Sequence, residues 1–128
     1  MTRPHVLVAR ATFPETIERL RAHFEVEHNP DDTVFDKTTL IRRLQGKVGA
    51  FTTGSERIDA EVLNANPQLR VVANMAVGYN NFDIPACTAR GVLATNTPDV
   101  LTETTADFGF ALMMATARRM AEAEHFLR

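Results

Sequence analysis

Short apolar runs alternate with amphipathic stretches along most of this chain. Residues 5–9, His-Val-Leu-Val-Ala, read as a buried strand, and the segment from Pro14 to Arg21 as an amphipathic helix with proline in its first turn. Residues 25–28 predict a second strand. Asp36 then suits the N-cap of a helix through Leu40, Ile41 and Leu44, with Gly46 as its stop. Residues 48–52, 69–74 and 92–96 predict three further strands, separated by a short helix beginning near Ile58 and Asp59 and by a helical turn over 86–90. Repeated βα alternation with near-continuous apolar strands implies a parallel sheet covered on both faces, and the right-handed crossover rule makes it doubly wound. The expected class is α/β, and five strands point to a flavodoxin-like sheet.

From about Thr102 to Phe126 the pattern becomes one long helix. Asp107 and the short apolar stretch exclude a bilayer span, which needs about 20 apolar residues. Apolar side chains nevertheless fall on nearly every side of it, as in a helix buried from several directions. Two readings follow: the last helix of a self-contained domain, or an arm that expects another domain or subunit. Its length and two-sided apolarity favour the arm, with Arg118, Arg119 and Arg128 marking the C-terminal end. Phe108, Phe110, Met113 and Met114 read as packing residues rather than as a cofactor box.

At 128 residues there is room for one domain and an extension, and 45% hydrophobic with 23% charged residues is a globular composition. A formal charge of −2 without a run of like charges gives no reason to expect nucleic acid as a partner. The start, Met1-Thr2-Arg3-Pro4, runs straight into a strand without the apolar region of a signal peptide, so a cytoplasmic protein without a membrane partner is expected. Cys87 is the only cysteine, which leaves no internal disulfide and no thiolate metal cluster. Following Pro85 and Ala86, it reads as a small packing residue at a helix start; a reactive thiol would need a His or Lys beside it.

In an open parallel sheet, ligands sit beyond the carboxyl ends of the strands. After the third strand come Thr52-Thr53-Gly54-Ser55-Glu56-Arg57, where hydroxyls, a permissive glycine and a following helix start can offer donors to a small carboxylate. The plainer reading is an ordinary loop in which Ser55 or Asp59 caps the next helix. After the fourth strand, Met75-Ala76-Val77-Gly78-Tyr79 sets a glycine where backbone must approach a ligand closely, with the N–H groups of Val77 and Gly78 as donors. Asn96-Thr97-Pro98 reads as an extended stop, followed by a helix start that Thr102 is expected to cap.

The segment from Val71 through Val77-Gly78-Tyr79-Asn80-Asn81-Phe82-Asp83, and Thr97-Pro98-Asp99-Val100-Leu101-Thr102-Glu103-Thr104-Thr105-Ala106-Asp107, together resemble the D-isomer-specific 2-hydroxyacid dehydrogenases, and within them the glyoxylate and hydroxypyruvate reductase branch. The resemblance implies strand order 2-1-3-4-5, and a chain that continues past Arg128 into a glycine-rich dinucleotide fold. Residues 1–100 would then be the substrate-binding domain, and 101–128 a long interdomain helix that begins the dinucleotide-binding domain. It further implies that Thr53, Gly54, Val77 and Gly78 contact a small 2-keto or 2-hydroxy acid, that Asn81 and Asp83 organise their loop, and that Thr104 faces the nicotinamide of NAD or NADP.

Hydride transfer also needs an acid and a positive group that polarises the carbonyl. The family's Arg, Glu and His for these roles match no motif here, so no catalytic residue is assigned. His5, His23, His28 and His125 are expected at surface or edge positions, and no Gly-x-Gly occurs to cradle a pyrophosphate. Tight NAD(P) binding and turnover are therefore expected of the complete enzyme and not of this chain alone, and no metal site is expected. The rival reading is a non-catalytic module that keeps the anion pocket and self-associates, as a homo-oligomer, through the C-terminal helix. A receiver domain lacks its acidic pair at Ala9-Arg10-Ala11, and a flavin carrier lacks its phosphate loop at Ala11-Thr12-Phe13-Pro14.

Overall fold

A computed structural model describes residues 3–128; Met1 and Thr2, which open the segment read as lacking a leader, lie outside the described residues. The elements run β1 (His5–Val8), α1 (Pro14–Arg21), β2 (Glu25–His28), α2 (Lys37–Leu44), β3 (Gly49–Thr52), α3 (Ala60–Ala65), β4 (Val71–Asn74), α4 (Ile84–Arg90), β5 (Leu93–Thr95), α5 (Thr102–Ala117) and α6 (Met120–Leu127). The strands form one sheet in the order β2-β1-β3-β4-β5, and every pair is parallel. This is the flavodoxin-like order expected above. The chain divides into two units, one ending at Thr97 and the other spanning Pro98–Arg128.

Local signals account for most boundaries in the first unit. The Asp36 carboxylate accepts from the Thr39 N–H at 2.7 Å to open α2, and Asp59 does the same for α3 through the Val62 N–H at 3.2 Å. Asp59, and not Ser55, is therefore the cap. Asp83 accepts from the Ala86 N–H at 3.0 Å, so α4 starts at Ile84, two residues before the turn read from the pattern. Its stop is Gly91 in the left-handed region, where a Cβ would be strained.

Leu7, Ala50 and Val72 project from neighbouring strands onto one face, where Leu40 and Leu44 of α2, Val62 and Leu63 of α3, and Cys87 of α4 close the core. The opposite face carries Val6, Phe51 and Ala73, and of the first unit's helices it meets α1 through Leu20. Coverage is thus unequal, because one crossover falls on that side and three on the other. Cys87 is buried, and that burial, with Asp83 nearby, pushes its thiol up and away from thiolate chemistry.

The second unit departs from the single helix expected over 102–126. Its helix breaks between α5 and α6, where Arg119 adopts a left-handed conformation (φ 52°), and the N–H groups of Arg118 and Arg119 close the last turn onto Met114 O and Thr116 O. Nor does Thr102 cap α5. Asp99 is also left-handed, the chain enters through a turn, and Leu101 takes the cap position without a side-chain bond. α5 buries none of its residues. No helix is long and apolar enough to cross a membrane among the described residues.

Leu44 is completely buried between α2 and the sheet. Leu44→Ala should lower the unfolding free energy by about 2–5 kcal/mol, through lost burial plus the cavity left behind. Urea unfolding of the two chains measures this, and an unchanged midpoint would contradict the core drawn here.

Candidate functional site

The strand order reverses between β1 and β3, and the loops leaving β1, β3 and β4 gather at that end of the sheet. Arg10, directly after β1, is the hub. Its Nε and Nη2 donate to the Asp32 carboxylate at 2.9 Å each, as a bidentate pair. Its Nη1 donates to Ser55 Oγ at 2.6 Å and lies 4.0 Å from the Glu56 carboxylate. One guanidinium therefore joins the loops that follow β1, β2 and β3.

Glu56 is 1% exposed, and a buried carboxylate is tolerable only when its lone pairs are used. Its Oε2 accepts from the Thr53 N–H at 2.8 Å and Thr53 Oγ1 at 3.1 Å, and its Oε1 accepts from Ser55 Oγ at 2.8 Å. The Thr53 and Ser55 donors expected to face a ligand are thus turned inward. Among the described residues, the N–H groups of Gly54 and Ser55 make no hydrogen bond within the chain. A Cβ at Gly54 would meet nothing within 4 Å, so the fold itself does not demand glycine there.

The loop after β4 is organised differently. Asn74, buried at the end of that strand, donates from Nδ2 to Gly78 O at 2.9 Å and to Asn81 Oδ1 at 3.0 Å, while its Oδ1 accepts from Thr52 Oγ1 at 3.0 Å. Asn81 Nδ2 donates to Thr53 O and Glu56 O, each at 2.9 Å, stitching this loop to the one after β3. Three successive carbonyls face the fold: Ala76 O accepts from the Thr97 N–H at 3.0 Å, Val77 O from Asn96 Nδ2 at 2.7 Å, and Gly78 O from Asn74. The N–H groups of Val77 and Gly78 bond to nothing in the described chain. Both residues are exposed, and a Cβ at Gly78 would again meet no atom within 4 Å.

Adjacent unsatisfied N–H groups are an anion-binding arrangement, able to hold a carboxylate or a carbonyl oxygen that gains negative charge. Thr53, Gly54, Val77 and Gly78 come together at one end of the sheet, on loops joined by Asn81. Thr104 belongs to the second unit, and its Oγ1 donates to Leu101 O at 3.2 Å within the first turn of α5. Arg10, Asp32, Glu56, Asn74 and Asn96 escaped the sequence reading. The available signal was a polar residue ending a buried apolar run, as at Arg10 after residues 6–9 and Asn74 after 71–73. His5, His23, His28 and His125 are all exposed. Among the described residues no three His, Cys, Asp or Glu side chains converge as a metal site.

The doubly wound sheet has the architecture of a dehydrogenase domain, and residues 6–125 match the family described as D-isomer specific 2-hydroxyacid dehydrogenase, catalytic domain. The chain belongs to that family. It is 49% identical over 126 residues to a glyoxylate reductase from Thermococcus kodakarensis, a match covering 98% of this chain and 38% of the relative. Among solved structures, a protein from Thermus thermophilus superposes with a TM-score of 0.82 at 38% identity, over 97% of this chain and 40% of the other. The NADPH-dependent glyoxylate/hydroxypyruvate reductase of Sinorhizobium meliloti, solved with NADP and malonate, gives 0.77 at 34% identity, over 99% of this chain and 38% of the other. The chain thus spans about two fifths of the length of these relatives.

The Arg10 guanidinium, and then the Ala11 N–H, hold the Asp32 carboxyl below the usual carboxylate range. A folded-state pKa below the unfolded one adds stability above the unfolded value of about 3.9, and that stability disappears as pH falls through the folded value. Asp32→Asn should therefore lower the thermal midpoint at neutral pH and flatten its decline below about pH 4. Melting curves across that range test it, and an acid limb of the parent's steepness would remove Asp32 from the linkage.

Proposed function

We propose that this chain is the substrate-side part of an NAD(P)-dependent 2-hydroxyacid dehydrogenase that reduces a small 2-keto acid, glyoxylate or hydroxypyruvate. The observation that carries this reading is the pair of unbonded N–H groups at Val77 and Gly78, beside a glycine the fold does not itself require. In this reading those donors, with the free N–H of Gly54 on the neighbouring loop, hold the carboxylate and carbonyl oxygens of the acid, and Thr53, whose own donors are taken by Glu56, lines the site beside them. The glyoxylate reductase relatives and the malonate-containing structure support a small carboxylate. Residues 1–100 form the substrate domain, and 101–128 the arm toward the dinucleotide-binding part. The location we propose for the complete enzyme is the cytoplasm.

The nicotinamide, when bound in the complete enzyme, supplies the hydride for the substrate carbonyl carbon. Of the residues present, Thr104 is the one we assign to its neighbourhood. The six glycines contain no Gly-x-Gly, so the cofactor phosphates find no cradle in this sequence. This chain's own work is to bind and orient the acid. No proton donor or carbonyl-polarising cation is assigned in it, and by itself it should give little or no NADH- or NADPH-dependent reduction of glyoxylate.

The binding claim is tested by titrating the 15N-labelled chain with glyoxylate. The amides of Gly54, Val77 and Gly78 should shift. Gly78→Val should weaken binding on the order of tenfold with little change in thermal midpoint, because its side chain enters open space rather than the core. Ligand-induced shifts that survive this substitution unchanged would count against the assigned pocket.

A second reading, self-association as a homo-oligomer, has its own observation. Phe108 is 65% exposed and Phe110 61%, with Leu112, Met113 and Met114 also exposed on the same helix. So much apolar surface on one helix favours coverage by a partner. Phe110→Asp combined with Met114→Asp should weaken dimerisation in sedimentation equilibrium by at least about tenfold and leave the first unit folded. Self-association of the same strength in the double variant would end this reading.

A further inference from the structure

The donor atoms of the proposed site are main-chain N–H groups, so their direction depends on how three peptide planes are turned. In a trans peptide the C=O and N–H of one plane point opposite ways. Whatever grips the carbonyl therefore aims the next residue's N–H. Thr97 N–H grips Ala76 O at 3.0 Å, Asn96 Nδ2 grips Val77 O at 2.7 Å, and Asn74 Nδ2 grips Gly78 O at 2.9 Å. The N–H groups of Val77, Gly78 and Tyr79 are correspondingly turned away from the gripped side.

This control is needed because of Gly78 itself. A glycine flanked by exposed residues rotates its peptide planes at low cost, and a flipped Val77–Gly78 plane would present a carbonyl oxygen to an anion. A site with one donor and one misplaced acceptor repels the carboxylate it should hold. We propose that Asn96 and Asn74 are positioning residues for the Val77–Gly78 anion site: Asn96 locks the Val77 carbonyl inward so that the Gly78 N–H faces the substrate carboxylate, and Asn74 holds the next plane, the Gly78 carbonyl and with it the Tyr79 N–H, so that the glycine cannot turn an oxygen outward. Neither touches substrate in this scheme. The proposal rests on the reading of the site as a carboxylate binder, and specifies what makes that site competent.

The two asparagines differ as probes. Asn74 is buried and also bonds Thr52 and Asn81, so replacing it disturbs the loop framework as a whole. Among the described residues Asn96 makes one side-chain bond, to Val77 O, and it lies near the end of the first unit. It is the cleaner test. Asn96→Leu keeps the branched shape and removes the donor, and Asn96→Ala serves as a second variant should leucine prove disruptive.

Each variant of the 128-residue chain, 15N-labelled, is titrated with glyoxylate beside the unsubstituted chain. Weakening of about tenfold, with loss of the ligand-induced displacement at the Gly78 amide and retained sheet dispersion and thermal midpoint, is expected. A merely structural role would lower the midpoint and leave the Gly78 displacement in the molecules that remain folded. Unchanged affinity with an unchanged Gly78 displacement overturns the positioning proposal and leaves the site standing. Absence of any Gly78 displacement in the unsubstituted chain overturns both.

Discussion

Parallel pairing constrains this molecule before any site can exist. A strand that must run in the same direction as its neighbour needs a crossover between them, and each crossover returns the chain to the same starting edge. The carboxyl ends of β1, β3 and β4 consequently lie side by side, and so do the loops that follow them. The apolar register of Leu7, Ala50 and Val72 holds those strands in place against α2, α3 and α4. With that register set, residues separated by scores of positions, such as Arg10 and Ser55, are brought within hydrogen-bond distance.

Burial at this end of the sheet is unusually polar. Glu56, Asn74 and Thr52 are all buried, and such groups stabilise a fold only when their partners are complete. Here each is satisfied by loop backbone, by loop side chains or by another member of the set, so the cost of desolvation is offset and the loops are held rigid. That rigidity has a direction. The loop after β3 turns its side-chain donors onto Glu56, and the loop after β4 directs its carbonyls to Asn74, Asn96 and Thr97. What remains free is a short run of main-chain N–H groups, which is the chemistry of anion recognition.

Much of this was legible in order along the chain. Alternating apolar runs and the Asp caps at 36 and 59 are signals that act over a few residues, and the structure follows them; Asp83 and Gly91 bound α4 by signals of the same local kind that went unread. Thr53, Gly54, Val77 and Gly78 were singled out from loops of motif-like spacing, and the structure joins those loops through Asn81. The misses have separate causes. Thr53 and Ser55 were expected to face outward, but a carboxylate one to three residues away competes for their hydroxyls. The break at Arg118–Arg119 was missed because arginine carries no signal for a left-handed turn.

The sequence by itself determined the βα alternation, the parallel class and the identity of the residues at each strand end, since these depend on local periodicity and on short-range capping. Tertiary structure alone decided which way the peptide planes at Val77 and Gly78 point, and that Arg10, Asp32 and Glu56 belong to one network. Those outcomes depend largely on hydrogen bonds between residues 19 to 45 apart in the chain, and no local pattern encodes which distant donor will reach which carbonyl.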